Sequence, residues 1–245
     1  MSKYVILAAV TLVIANASAR AEDAKVAVAA NFTAPAQEIA AKFKTETGDT
    51  VTLSFGASGQ FLTEISNGAP YDVFLSADID HAKKAEKAGL TVPGSRFTYA
   101  TGHLVLWSES PRLVDDKGKV LSSGHFTHVA IADAKLAPYG LAAEQYLKIS
   151  GLWASISPKL VTGKSIAQTY EFVKSGNAEL GFVALSQVAG KSEGSEWIIP
   201  DSTHAPITQQ AVLLKAGAHN PAAKEFLDFL KKPEAQAIIA KFGYN

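Results

Sequence analysis

Ser58 stands in the run Gly56-Ala57-Ser58-Gly59, after an alternating apolar segment and before a second apolar run. A serine hydroxyl at such a place can donate to an anion, and Gly59 lets the backbone turn closely. Asn31 ends the first apolar run in the same way, within Ala30-Asn31-Phe32-Thr33. Tyr139 lies in Ala137-Pro138-Tyr139-Gly140, and Ile166 follows Gly163-Lys164-Ser165. All four sit at one kind of junction: strand or loop, short polar turn, helix. The first N–H groups of a helix have no partner inside it, and the helix dipole places about half a positive charge there. Several such starts converging at one edge make an anion site that needs no Lys or Arg. Taken singly, each residue has a plain structural use. Ser58 can cap its own helix, Asn31 suits a turn, Tyr139 can pack beside Pro138, and Ile166 can be core, offering only its backbone N–H. The recurrence of the junction carries the reading.

Other chemistries fit less well. Gly56 to Gln60 approaches the G-x-S-x-G nucleophile elbow of a serine hydrolase, but Gln60 stands where the last Gly belongs. His103, His125 and His128, with Asp78 and Asp80, show no metal-ligand spacing such as H-E-x-x-H. No adjacent tyrosine pair occurs, as a periplasmic iron-binding protein would use. The chain has no cysteine, which removes thiol catalysis and Cys-ligated zinc. Lys and Arg number 23 and so do Asp and Glu, with no basic run, so nucleic acid is not an expected partner. The chain is expected to bind and not to catalyse, with no cofactor.

The elements that must hold these junctions alternate. Lys25 to Ala30 reads as a buried strand. Ala36, Ile39, Ala40 and Phe43 then mark an amphipathic helix that starts near Thr33 and ends at Gly48. Val51 to Phe55 and Val73 to Ala77 read as strands, and Phe61, Leu62 and Ile65 as a helix between them. Tyr99 to Trp107 contains another strand, LVLW at Leu104–Trp107. Others fall at His128–Ala132, Leu160–Thr162, Leu180–Leu185 and Thr208–Leu214, with helices near 140–149 and 165–174. Pro233 separates two closing helices. Repeated β-α-β order points to open α/β sheets with helices on both faces. Ahead of these, Lys3, the apolar run Val5 to Ala15 and the A-x-A patterns ending at Ala19 and Ala21 have the anatomy of a secretory signal peptide over residues 1–21. The run is shorter than the roughly 20 residues a membrane span takes. Removing Lys3 and Arg20 with it leaves 21 basic side chains against 23 acidic ones, a net of −2, so any anion must be held locally.

From Lys25 to Tyr244 the chain resembles the periplasmic molybdate-binding proteins of ABC transporters. The resemblance is carried by AANFTAPAQEIAAKFKTETG (29–48), FGASGQFLTEISNGAPYDVFLSAD (55–78), PGSRFTYATGHLVLW (93–107), APYGLAAEQYL (137–147), LGFVALSQV (180–188) and the tail FLKKPEAQAIIAKFGY. It implies the type II periplasmic binding protein fold: two α/β lobes, each a mostly parallel sheet flanked by helices, joined by two crossover strands and closing on ligand. The lobes would comprise 22–100 with 208–245, and 101–207. It implies molybdate or tungstate as ligand, an ABC permease as partner, a monomer and a periplasmic location. Its oxyanion contacts fall on Asn31, on Ser58, and on the backbones of Tyr139 and Ile166. Many members carry a Tyr where this chain has Ala184; this chain has Tyr139 in the APYG loop and Asn31 in place of a common Ser, as a second subgroup does. Hydroxyls, N–H groups and one amide, with no carboxylate, suit an anion that has lost all its protons. Sulfate or another small anion is the competing ligand, separated only by cavity size.

Overall fold

Val26 to Ala29 are buried on both faces, and a short apolar run of this kind belongs in the middle of a parallel sheet covered by helices. The computed structural model, which describes residues 22–245, places it there. The chain runs β1 (Asp23–Ala29), α1 (Thr33–Thr47), β2 (Thr50–Gly56), α2 (Ser58–Ser66), β3 (Val73–Ser76), α3 (Ile79–Lys87), β4 (Phe97–Gly102), β5 (Leu104–Ser108), α4 (Val120–Ser123) and β6 (Val129–Ala132). It continues α5 (Pro138–Ile149), α6 (Trp153–Ile156), β7 (Leu160–Gly163), α7 (Ile166–Lys174), β8 (Leu180–Ala184), α8 (Leu185–Val188), β9 (Ser195–Ile198), β10 (Ile207–Leu213), α9 (Pro221–Phe229) and α10 (Pro233–Lys241). The signal peptide expected over 1–21 lies outside the described residues.

Two five-stranded sheets result, ordered β2-β1-β3-β10-β4 and β7-β6-β8-β5-β9. β1 pairs in parallel with β2 and β3, and β6 with β7 and β8. In each sheet one strand runs against the other four: β10, antiparallel to β3 and β4, and β5, antiparallel to β8 and β9. The fold is α/β and two-lobed. Among the described residues no helix is long and apolar enough to cross a membrane.

The strand expected at Leu104–Trp107 is β5, and a further strand just before it, β4, was not foreseen. β4 ends in the first sheet at Gly102, His103 intervenes, and β5 begins in the second. Phe97 to Gly102 mixes polar and apolar residues and carries no sign that it pairs with a different sheet from the strand that follows. The return passage is the segment from β9 to β10. The short strand β9 was not foreseen either; Ser195 to Ile198 is half exposed and edges its sheet. Pro233 opens α10 at its first turn, where a missing N–H costs nothing. α9 and α10 pack on the first lobe: Phe43 of α1 meets Phe226 and Phe229 edge-on at 5.4 and 5.5 Å. Gly48, at φ 85°, turns the chain out of α1 as a left-handed cap that a side chain would resist.

β1, β2 and β3 of one lobe and β6, β7 and β8 of the other all end toward the boundary between the lobes. Open α/β sheets bind ligands at this edge.

Candidate functional site

Each lobe contributes helix starts to that boundary. Ser58 opens α2 as its first helical residue, with Ala57 in the cap position. Its hydroxyl does not cap its own helix. Instead Oγ accepts a hydrogen bond from Ala77 N, at the end of β3, at 2.9 Å. That bond fixes the oxygen and leaves the hydroxyl proton free to donate elsewhere. Ser58 is 1% exposed, so a donor there faces little competition from water.

Tyr139 is the second residue of α5, after Pro138. Pro138 has no N–H, so the Tyr139 N–H is the first that this helix presents. Gly140 must be glycine at this turn, because a Cβ there would fall on the carbonyl of Ala132 at the end of β6. Ile166 is the first residue of α7. Ser165 caps that helix through Gln168 N at 3.3 Å, which leaves the Ile166 N–H outside the capping bond.

Asn31 lies in a 3-10 turn between β1 and α1 and is 3% exposed. Its amide, which the sequence offers as a donor to an anion, is already engaged. Nδ2 donates to Gln209 Oε1 at 2.8 Å and to Tyr244 Oη at 2.9 Å. The backbone N–H of Asn31, at the turn, is outside these bonds.

Asn31, Ser58, Tyr139 and Ile166 line one small cavity, together with Ala29, Ala30, Gly56, Ala57, Ala77, Ala137 and Pro138. Its volume, about 10 Å³, is the room of one water molecule. The first-lobe wall is mostly alanine and glycine, which lets the backbones of the two lobes come close. Gly59 N donates to Leu136 O across the boundary at 2.9 Å. No charged side chain lines the cavity.

Behind it lies a layer that the sequence did not reveal. Gln209 of β10 accepts from Asn31 and from Tyr99 Oη at 2.9 Å, and its Nε2 donates to Tyr139 Oη at 3.3 Å. Ser186 Oγ of α8 donates to the Asn31 carbonyl at 2.7 Å, and Tyr244 Oη lies 2.8 Å from that carbonyl and 2.9 Å from Ser186 Oγ. The Tyr139 hydroxyl is thus directed into this layer, against Gly102, whose Cα leaves no room for a Cβ. Burial pushes the Tyr244 hydroxyl up to about 12, and burial, then the neighbouring tyrosines, raises Tyr139 well above its ordinary value. Burial does the same for Tyr99, with Tyr244 and Asp78 adding to it. All three hydroxyls stay neutral. One sequence sign was available: Gln209 and Gln210 stand together in the middle of strand β10, and the structure buries both.

The residues weighed as metal ligands go elsewhere. Asp78 caps α3 and holds His81 Nδ1 at 2.7 Å. Burial works to raise its carboxyl, but hydrogen bonds and charge from His81 outweigh this and hold it below its ordinary value. His103 sits at the crossover between Asp201, at 3.3 Å, and Asn245, at 2.9 Å. Among the described residues no three such side chains gather as a metal site.

Residues 24–245 match the family model described as bacterial extracellular solute-binding protein. The chain is 60% identical over 218 residues to the molybdate-binding protein ModA of Rhodobacter capsulatus, covering 89% of this chain and 86% of that one. It is 53% identical over 231 residues to ModA of Azotobacter vinelandii, covering 93% and 92%. The solved structure of the Azotobacter vinelandii periplasmic molybdate-binding protein superposes with a TM-score of 0.88, at 44% identity, over 91% of this chain and 98% of that one.

Proposed function

This chain belongs to the bacterial extracellular solute-binding proteins, and we propose that it captures molybdate or tungstate outside the cytoplasm and delivers it to an ABC importer. It is a binding protein and not an enzyme, and the oxyanion is its cargo. The observation that carries the reading is the meeting of Asn31, Ser58, Tyr139 and Ile166 around one cavity without a charged wall. In the proposed complex the Ser58 hydroxyl and the backbone N–H groups of Asn31, Tyr139 and Ile166 donate to the anion's oxygens. Helix starts supply the positive potential. Two donors come from each lobe, so the anion itself joins them.

The lobes are proposed to divide at 22–100 with 208–245 and at 101–207, moving about the two crossovers. A cavity with room for one water molecule does not admit a tetrahedral anion unless the lobes part. They then re-form around it, and enclosure strips it of water. The proposed contacts are all donors, and no carboxylate lines the wall. A fully deprotonated anion matches this wall, whereas a phosphate still carrying a proton would leave that proton without an acceptor. Delivery to a membrane permease, export by the leader at 1–21 into the periplasm, and a monomeric state complete the proposal. The leader's anatomy and the periplasmic relatives support the location.

Calorimetric titration of the mature protein with molybdate, tungstate, sulfate and phosphate in turn tests the ligand. Molybdate and tungstate are expected to bind at micromolar concentration or below and to raise the melting temperature by mass action. A response to sulfate with none to molybdate or tungstate would overturn the assignment.

A further inference from the structure

We infer that Tyr244, the penultimate residue, is a positioning residue that latches the two lobes closed without touching the ligand. The inference rests on the proposed function and concerns how that site is held shut. Tyr244 is 5% exposed and does not line the cavity. Its ring belongs to the first lobe, packed edge-on against Phe32 at 5.4 Å. Its hydroxyl reaches across the boundary. It accepts from Asn31 Nδ2 and lies within 2.9 Å of both the Asn31 carbonyl and Ser186 Oγ. Asn31 belongs to the first lobe and Ser186 to the second, where α8 follows β8.

The tail is shaped for this reach. Gly243 has φ 79°, and a Cβ added there would stand 2.7 Å from the Leu185 side chain. The chain therefore passes against the second lobe at the residue before Ser186. Asn245 is tied to the first crossover. Its N–H and carbonyl pair with Thr101 at 3.0 and 2.7 Å, and its amide meets His103. The last residues thus fasten the hinge strand at one side and the lobe boundary at the other. Opening the lobes must break the Tyr244–Ser186 and Ser186–Asn31 bonds. Those bonds are shielded from water in the closed form, where a lost partner is felt most. A protein whose competent state is less populated binds its ligand more weakly by that fraction.

The test uses the mature chain with Tyr244→Phe, Ser186→Ala and the double variant. Each is titrated with sodium molybdate, with dissociation followed by stopped flow. The chain has no cysteine, so Lys44→Cys and Ile149→Cys can carry spin labels that report the distance between the lobes. Each single variant is expected to bind molybdate about tenfold more weakly, almost entirely through faster dissociation. The ligand-free distance distribution should shift toward the open form. The double variant should lose little more than either single one, because both changes cut the same link. Affinity within twofold of wild type, or a loss of affinity with an unchanged distance distribution, overturns the latch. Should Tyr244→Phe fail to fold, Ser186→Ala decides alone. A wild type that does not bind molybdate strikes the proposed function instead, and the ligand-free distances still decide the latch.

Discussion

The wall of the cavity and the layer behind it are both polar, yet they are built on opposite plans. The wall uses local chemistry: a serine hydroxyl and helix-start N–H groups, each within a few residues of a strand end. The layer behind uses side chains brought from across the chain. Gln209 meets Tyr139 over 70 positions, Asn31 over 178, and Tyr244 meets Asn31 over 213. Tyr139 belongs to both, with its N–H in front and its hydroxyl behind. Backbone dipoles can meet an anion's charge because they are fixed by the helices and need no counter-ion. The neutral side chains behind have a different task, which is to hold those helix starts from two lobes at one distance. Charge handling and closure are separable here, and mutations should separate them.

The sharpest break would come at Gly102. A Cβ there collides with the Tyr139 hydroxyl and stands 2.8 Å from Gln209 Nε2, and both residues are buried. Gly102→Ala is expected to destabilise the protein by about 3 kcal/mol, the upper range for overpacking, and to weaken molybdate binding although position 102 is outside the cavity. Denaturant unfolding and titration measure the two effects. A loss below about 1 kcal/mol would show that the layer behind yields easily, and the distinction between the two regions would weaken.

Ser58→Ala acts on the wall alone. It removes the hydroxyl donor and leaves Ala77 N without its acceptor. Binding is expected to weaken by about 1–3 kcal/mol, as for other buried polar groups left unpaired. The distance between the lobes in the ligand-free protein should stay at the wild-type value, the reverse of the pattern expected for Ser186→Ala. Unchanged affinity would remove Ser58 from the site.

How much of this the sequence disclosed follows the same division. Helix starts after apolar strands are written locally, in Gly56–Gly59 and in Pro138-Tyr139, so the four junctions could be picked out by eye. The two-lobed α/β fold was legible from strand and helix alternation joined to a family resemblance. Strand β4 and the change of sheet between it and β5 were not, because pairing partners are chosen by distant residues. Ser186 and Tyr244 gave no local sign at all: a serine after a strand and a tyrosine near a chain end have many uses. Asn31 was singled out for its amide, yet that amide turns inward because Gln209, far along the chain, is placed to accept it.

The smallest effect is expected from pH, and it sharpens the contrast from the other side. No carboxylate, histidine or lysine lines the cavity, and Asp78, the residue after Ala77 of the wall, is paired with His81 at the start of α3. Between pH 7 and 9 molybdate affinity should change by less than about twofold, since neither helix starts nor these tyrosines titrate there. Folding stability should respond only beyond that range. An unfolded tyrosine ionises near pH 10, whereas folded Tyr244 holds its proton to about 12, and Tyr99 and Tyr139 are also raised by burial. Above pH 10 the unfolded chain therefore binds fewer protons than the folded one, so stability falls as pH rises. The contribution is intact below pH 10 and is lost on passing through 12. Thermal unfolding from pH 7 to 11 would show a plateau followed by a decline, and Tyr244→Phe should make the decline shallower. An affinity that instead tracked pH between 7 and 9 would mean that an ionising side chain faces the anion, and the wall would no longer be one of neutral donors.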